Sequence, residues 1–199
     1  MFGLFRKRRD TSPKVFTGVG TVFVCNVADV STISGGLEPA QLADILGTHQ
    51  DHIVSVVEKH HGRIVQFFGD AVLALWHPKH ESPNHAQRAY DAARSAIQSL
   101  PKTLRKQKLT SCSLRVALGT GELAGGFFGP IQQYQVAGKA KSIADRLSGM
   151  PAPAGSCIRM SQYTFDLIQP QDEIVQTGTI NREPLKELRV YSWSPALTQ

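Results

Sequence analysis

The sequence predicts a single α+β domain, because short β-branched and apolar segments alternate with long segments of helical periodicity. Its 199 residues suit one domain of ordinary size, and a hydrophobic content of 41% is enough for a core. Charged residues make up 19% of the chain, which argues against intrinsic disorder. We therefore expect a folded domain over residues 18–195, preceded by a basic, flexible tail over residues 1–17.

The order of the predicted elements defines the expected topology. A strand at 19–26 is followed by a loop at 27–37, and Pro39 suits the first position of a helix that ends near Gly62. This order, βαββαβ with additions, predicts a ferredoxin-like, split-βαβ fold: an antiparallel sheet with helices packed on one face. The remaining elements are a hairpin (63–68 and 71–76), a helix (about 84–100), a strand (113–120), a hairpin (122–128 and 133–138), a helix (about 139–149), a strand (155–159), a short helix from 161 and a strand pair (173–195).

The net charge of +6 comes from two basic segments, at residues 6–9 and 102–108, and the rest of the chain is slightly acidic. Surfaces that bind nucleic acids usually interleave aromatic and basic residues, which neither segment does, so we expect no nucleic-acid partner. The apolar residues 1–5 followed by four cations suit a weak contact of residues 1–9 with an anionic membrane surface. A solvated tail is the simpler interpretation.

The sequence also predicts a compartment. Three widely spaced cysteines, Cys25, Cys112 and Cys157, are typical of free thiols in a reducing environment. No apolar run reaches the roughly 18 residues that a membrane span requires. The basic residues 6–9 interrupt the N-terminal apolar stretch before it can form a secretory signal. We expect a cytoplasmic protein, with a peripheral position at the inner membrane surface as the alternative.

Histidines are concentrated near the first predicted helix. His49 lies on the same stripe as the apolar residues of this helix, which predicts packing in the core. His52, His60 and His61 lie near it in sequence. Because no cysteine or acidic cluster accompanies them, we interpret these histidines as structural residues and not as metal ligands.

Six sequence blocks, in a fixed order from about residue 20 to residue 193, carry a resemblance to a known family. Each block is weak alone, but together they cover nearly the whole chain in the expected order. They are residues 22–34, 37–39, 61–72 with the Gly-Asp-Ala turn, 85–89, 114–122 (LRVALGTGE) and 134–147 (YQVAG to ADRL). The chain resembles the catalytic domain of class III nucleotidyl cyclases, the adenylyl and guanylyl cyclases. The resemblance implies conversion of a nucleoside triphosphate to a 3′,5′-cyclic monophosphate and pyrophosphate.

The resemblance also implies where metal ions bind. In the family, two carboxylates hold Mg²⁺ or Mn²⁺ over the triphosphate. One of these positions is Asp70 in the middle of an apolar hairpin, after Gly69, which lets the turn tighten and the nucleotide approach. The other position is Asn26, which offers only a neutral oxygen. Asp29 is an alternative metal ligand, although its place in the phosphate loop would repel a triphosphate. A plain turn residue is the alternative role for Asp70.

The nucleotide-binding positions implied by the resemblance also depart from the family. Gln66 stands where adenylyl cyclases often have Lys and guanylyl cyclases Glu, and Gln135 occupies the second base-contacting position. Ser142 replaces the Asn that orients the ribose, while Arg146 retains the Arg that stabilises charge on the phosphates. The family builds each site from two protomers, which implies a homodimer. A heterodimer with another cyclase-like chain is the alternative.

Two hypotheses about function follow. In the first, the domain is a weak or inactive cyclase that acts through dimerisation, partner binding or nucleotide binding, because Asn26 and Ser142 impair both halves of the shared site. In the second, it is an active metal-dependent cyclase with altered base preference, in which Asp29 serves the metal. The amides of Gln66 and Gln135 donate and accept hydrogen bonds, so such an enzyme could read another base, including a pyrimidine.

Overall fold

The computed structural model describes residues 15–28, 30, 34–77, 84–106, 112–128, 133–151, 154–169, 173–183 and 185–195. No helix within these ranges is long and apolar enough to cross a membrane. The contact predicted between residues 1–9 and a membrane surface lies outside the described residues and stays a prediction. The described elements are β1 (Val15–Val27), α1 (Pro39–Lys59), β2 (Arg63–Phe68), β3 (Ala71–Trp76), α2 (His85–Lys106), β4 (Leu114–Phe128), β5 (Gln133–Gly138), α3 (Lys139–Ser148), β6 (Cys157–Ser161), α4 (Gln162–Asp166), β7 (Val175–Arg182) and β8 (Leu185–Trp193).

All described strands belong to one eight-stranded sheet, ordered β2-β3-β1-β4-β6-β8-β7, with β5 paired to β4. Neighbouring strands are antiparallel except β4 and β6, which are parallel. The predicted α+β class with a largely antiparallel sheet is confirmed. The long ladder between β1 and β4 lies at the centre of the sheet, and it fixes the position of the β1 residues that carry the candidate site.

β1 begins at Val15, four residues earlier than predicted. Its first three residues pair with Gly126, Gly125 and Ala124 of β4, so they belong to the sheet and not to the tail. β1 is longer than predicted because its partner β4 is also longer. β4 runs unbroken through Gly121, whereas the sequence predicted two strands separated by a turn there. A 15-residue partner strand can pair with all 13 residues of β1. The folded domain therefore starts before residue 18.

Helices cover both faces of the sheet, and the prediction of helices on one face was wrong. Phe23 and Cys25 of β1 share a core cluster with residues of α1 and α2. Val22 and Val24 share a second cluster with residues of α3, as expected from side chains that alternate along a strand. Because β1 is buried on both faces, its sequence is a nearly continuous apolar run, and no alternation distinguishes the two faces.

α2 extends six residues beyond the predicted end at Leu100. The next residue, Pro101, lacks a backbone donor and usually interrupts a helix. The helix continues because Leu104, one turn later, is only 1% exposed and packs in the same core cluster as Leu100. Burial of Leu104 offsets the cost of the internal proline.

Replacement of Gly47 with alanine should stabilise the domain. Gly47 lies inside α1, its position is exposed, and an added Cβ would have no neighbour within 4 Å. Alanine restricts the unfolded chain and has a higher helix propensity, so we expect a gain of about 0.5–1 kcal/mol in the free energy of unfolding. Urea denaturation measures this change, and an unchanged or lower midpoint would contradict the position of Gly47 in an exposed helix.

Candidate nucleotide and metal site

Asp70 lies at the tip of the β2–β3 hairpin, in a turn that α1 holds in place. Gly69 adopts a φ of 61°, a conformation that favours glycine. The carbonyl of Asp70 accepts a hydrogen bond from His49 Nε2 at 3.2 Å, and the carbonyl of Gly69 accepts one from Gln50 Nε2 at 3.2 Å. The Asp70 carboxylate is half-buried and makes no hydrogen bond or ion pair with a described residue. Its oxygens are therefore able to bind a cation.

Asn26 lies beside this turn, near the end of β1. Cys25 pairs with Val72, so the antiparallel register places Asn26 next to Ala71, the residue that follows Asp70. Asn26 Oδ1 is buried and has no hydrogen-bond partner among the described residues. A buried oxygen without a donor is costly in a folded protein, and a cation or a bound ligand would satisfy it.

Arg115 is a candidate site residue that the sequence analysis did not single out. It pairs directly with Asn26 across the β1–β4 ladder, and paired residues of neighbouring strands lie on the same face of a sheet. The guanidinium is half-buried and always charged. Arg115 was part of the matched block at 114–122, but only the register shows that it lies opposite Asn26. A cation at this position suits the binding of phosphate oxygens.

The described residues offer a divalent cation few ligands. No group of three or more His, Cys, Asp or Glu residues in the described ranges is arranged to hold a metal ion. Asp70 and Asn26 would supply one anionic and one neutral oxygen, whereas Mg²⁺ requires about six ligands. Water and the phosphates of a nucleotide would supply the others. The residues therefore fit one weakly held ion, whose chemistry would be to neutralise phosphate charge. Asp29 lies outside the described residues.

The two glutamines lie on β2 and β5, two described strands that do not pair with each other in the sheet. Gln66 on β2 pairs with Leu73, whose side chain belongs to the core cluster beneath α3, so Gln66 is on the face of the sheet that α3 covers. Gln135 lies on β5, next to Tyr134. The Arg63 guanidinium of β2 stacks over the Tyr134 ring at 4.2 Å from its centroid, which holds β2 against β5. The fold thus brings together the strands that carry both predicted base contacts.

Ser142 and Arg146 lie one turn apart on α3 and share an exposed stripe. The opposite stripe of α3 packs against the sheet through Ala140, Ile143, Ala144 and Leu147. Ser142 Oγ donates a hydrogen bond to the carbonyl of Gly138, 3.2 Å away in the preceding turn. Arg146 makes no hydrogen bond or ion pair with a described residue, and it lines an open groove of about 450 Å³ with Asp145 and Asn181 among others. No hydrogen bond or ion pair between described residues joins either side chain to Asn26 or Asp70.

The described histidines near α1 make structural contacts, as the sequence indicated. His49 is fully buried, and burial lowers its pKa to about 4, so the ring is neutral at pH 7. His52 Nε2 lies 3.0 Å from the carbonyl of Ala96 in α2. His60 Nε2 lies 3.0 Å from Ser95 Oγ, also in α2. These contacts bind α1 to α2 and to the hairpin turn.

The fold and the site define a class: an α+β domain with a carboxylate turn, an arginine opposite Asn26 and a helix with an exposed arginine. The sequence model of the adenylate and guanylate cyclase catalytic domain matches residues 13–192. The chain belongs to this family, which confirms the resemblance.

Individual relatives agree with this assignment. Adenylate cyclase 1 of Rhizobium meliloti is 29% identical over 146 residues, which cover 71% of this chain and 22% of that protein. This chain therefore spans about a fifth of that relative. The adenylyl cyclase CyaB from P. aeruginosa has a similar structure, with a TM-score of 0.77 and 23% identity over 90% of this chain and 95% of that one. The guanylate cyclase domain of RhGC from Catenaria anguillulae, solved with GTP, has a TM-score of 0.78 and 19% identity. The match covers 91% of this chain and 98% of that one. At these identities the two structures support the fold.

Proposed function

We propose that this domain binds a nucleoside triphosphate together with one Mg²⁺ or Mn²⁺ ion, and that it cyclises the nucleotide weakly or not at all. Its role would then be exerted through dimerisation, partner binding or nucleotide binding. The observation that carries this proposal is Asn26, whose neutral amide has a buried Oδ1 without a hydrogen-bond partner among the described residues, beside the Asp70 turn and at a position where the family has a carboxylate. Loss of one carboxylate removes several kcal/mol of charge stabilisation from a metal-dependent reaction.

Ser142 supports the same conclusion from the other half of the site. Its hydroxyl already donates to the carbonyl of Gly138, a bond that Ser side chains commonly make within helices. A ribose would have to compete with that bond for a short side chain. Orientation of the reacting hydroxyl contributes strongly to rate, so a weakly positioned ribose lowers turnover more than binding.

Several residues still favour nucleotide binding. Asp70 offers an unpaired carboxylate to a cation that arrives with the triphosphate. Arg115, opposite Asn26, and Arg146, on the exposed stripe of α3, offer guanidinium groups to phosphate oxygens. Binding requires these charges, whereas turnover also requires the second carboxylate and the ribose contact.

We infer that the complete site forms between two chains, with a homodimer as the simplest assembly. Ser142 and Arg146 are exposed on α3 and face away from the sheet that carries Asn26, so they would serve the site of a partner. Phe67 and Phe68, beside the Asp70 turn, and Phe127 on β4 are each 43–44% exposed. Large exposed aromatic side chains support contact with a second protein surface. Assembly with another cyclase-like chain is the alternative.

An active cyclase with altered base preference is the second candidate. It is favoured by Gln66 on β2 and Gln135 on β5, because their amides donate and accept hydrogen bonds and could pair with any base. The similarity to a relative named as an adenylate cyclase also favours it. This candidate requires a second carboxylate beside Asp70, which the described residues do not supply, so Asp29 would have to provide it.

Calorimetric titration with ATP, GTP, CTP and UTP, each with Mn²⁺, tests the proposed binding. At least one nucleotide should bind in the presence of Mn²⁺. Asp70→Ala should weaken that binding by about tenfold or more, because it removes the carboxylate that holds the metal ion in the proposed site. Asp44→Ala is the matched control, because Asp44 is an exposed carboxylate on α1 and should leave the affinity unchanged. A folded protein that binds none of the four nucleotides would contradict the proposal.

A further inference from the structure

We propose that His49 and Gln50 are positioning residues, which fix the Gly69–Asp70 turn from α1 and thereby aim the Asp70 carboxylate at the bound cation. The proposal rests on the metal and nucleotide binding proposed above. Two adjacent side chains of one helix donate hydrogen bonds to two adjacent carbonyls of the turn, each at 3.2 Å. A pair of bonds to successive carbonyls fixes both the position and the orientation of the peptide group between them.

The turn has few other anchors among the described residues. Phe68 and Ala71 form the last ladder pair of the hairpin, so Gly69 and Asp70 lie beyond the sheet. Phe67 and Phe68 are each 44% exposed and belong to neither core cluster. A Cβ added at Gly69 would meet no atom within 4 Å, so the side of Gly69 where a side chain would lie is open. The two hydrogen bonds from α1 therefore determine where Asp70 lies.

The choice of histidine at position 49 is informative. His49 is fully buried in α1, on the side of the helix that also buries Ile45, Ile53 and Val56. The ring donates through Nε2 to the Asp70 carbonyl, and Nδ1 has no hydrogen-bond partner among the described residues. An aliphatic residue would avoid the cost of an unpaired buried nitrogen. Unlike leucine, histidine at position 49 can donate a hydrogen bond to the Asp70 carbonyl.

The test compares His49→Leu, which removes the donor, with His49→Gln, whose amide N–H can replace that of Nε2. His52→Leu is the matched control. His52 is also buried in α1, about one helical turn from His49, but it bonds to α2 and not to the Gly69–Asp70 turn. Two quantities are measured for each full-length variant: hydrogen exchange of backbone amides in residues 67–72, and Mn²⁺ affinity by electron paramagnetic resonance in the presence of the preferred nucleotide. Asp70→Ala defines the share of Mn²⁺ binding that depends on the turn.

His49→Leu should accelerate exchange in residues 67–72 and weaken Asp70-dependent Mn²⁺ binding by about tenfold, as loss of residues that orient metal ligands does. His49→Gln should restore most of both properties, whereas His52→Leu should lower only the melting temperature. Unchanged exchange in His49→Leu, or faster exchange with unchanged Mn²⁺ affinity, would overturn the proposal while the proposed metal site stands. Wild-type protein without Asp70-dependent Mn²⁺ binding would overturn the proposed function and this positioning role with it.

Discussion

Replacement of Asn26 with aspartate should raise the affinity for Mn²⁺ by about 10- to 100-fold. The two side chains have almost the same shape, so the change adds charge without altering packing. Asn26 lies beside the residue that follows Asp70, and a second carboxylate there would place two anions around one cation. Arg115, which faces Asn26, offsets part of the added attraction and keeps the expected gain below that of an isolated carboxylate pair.

This gain in affinity is measured directly by titrating the protein with Mn²⁺ and monitoring free Mn²⁺ by electron paramagnetic resonance. The apo form of Asn26→Asp should be less stable than the wild type, because two carboxylates repel each other, and Mn²⁺ should restore its stability. Asn84→Asp is the control, since it adds the same charge at an exposed residue before α2. Equal Mn²⁺ affinities for the wild type and Asn26→Asp would show that Asn26 is not part of a metal site.

Replacement of Gly119 with alanine should destabilise the domain by about 2–3 kcal/mol, because β4 and α3 approach each other most closely there. An added Cβ would clash with the carbonyl oxygen of Ala140 and would lie 2.6 Å from the backbone nitrogen of Ala144. Both atoms belong to the backbone of α3, so no side-chain rotation relieves the contact. At about 2–4 °C per kcal/mol for a chain of this size, the melting temperature should fall by about 4–12 °C.

The displaced helix also carries Ser142 and Arg146, so nucleotide affinity should fall at temperatures where the variant is still folded. Gly178→Ala is the matched control: Gly178 lies in β7, and a Cβ there has no neighbour within 4 Å. We expect this control to change stability by less than about 0.5 kcal/mol. If Gly119→Ala melted at the temperature of the wild type, the packing of α3 on β4 would differ from that described.

Sequence patterns predicted the element order well, because period-2 and period-3.6 patterns report local burial. They did not predict which face of the sheet each helix covers, since the central strand β1 is apolar on both sides. They also misplaced the start of β1 and two boundaries at Gly121 and Pro101. Glycine and proline usually interrupt regular structure, but here the long β1–β4 ladder and the burial of Leu104 determine the outcome.

The candidate site was predictable only in part. Asp70 is conspicuous because a carboxylate interrupts an apolar hairpin, and Asn26 and Ser142 follow from comparison with the family pattern. The position of Arg115 opposite Asn26 depends on the strand register, which no local pattern encodes. The sequence places His49 on the apolar stripe of α1, but its bond to the Asp70 carbonyl spans 21 residues and becomes visible only in the fold.

The central claim is that this domain keeps nucleotide binding but has lost efficient cyclisation, and a turnover assay tests it most directly. Purified wild-type protein is incubated with ATP, GTP, CTP and UTP plus Mn²⁺, and cyclic products are detected by mass spectrometry beside an Asp70→Ala control. We predict that a folded, nucleotide-binding wild-type protein forms little or no cyclic product above that control. Abundant cyclic nucleotide that disappears in Asp70→Ala would contradict the claim and would identify the domain as an active cyclase.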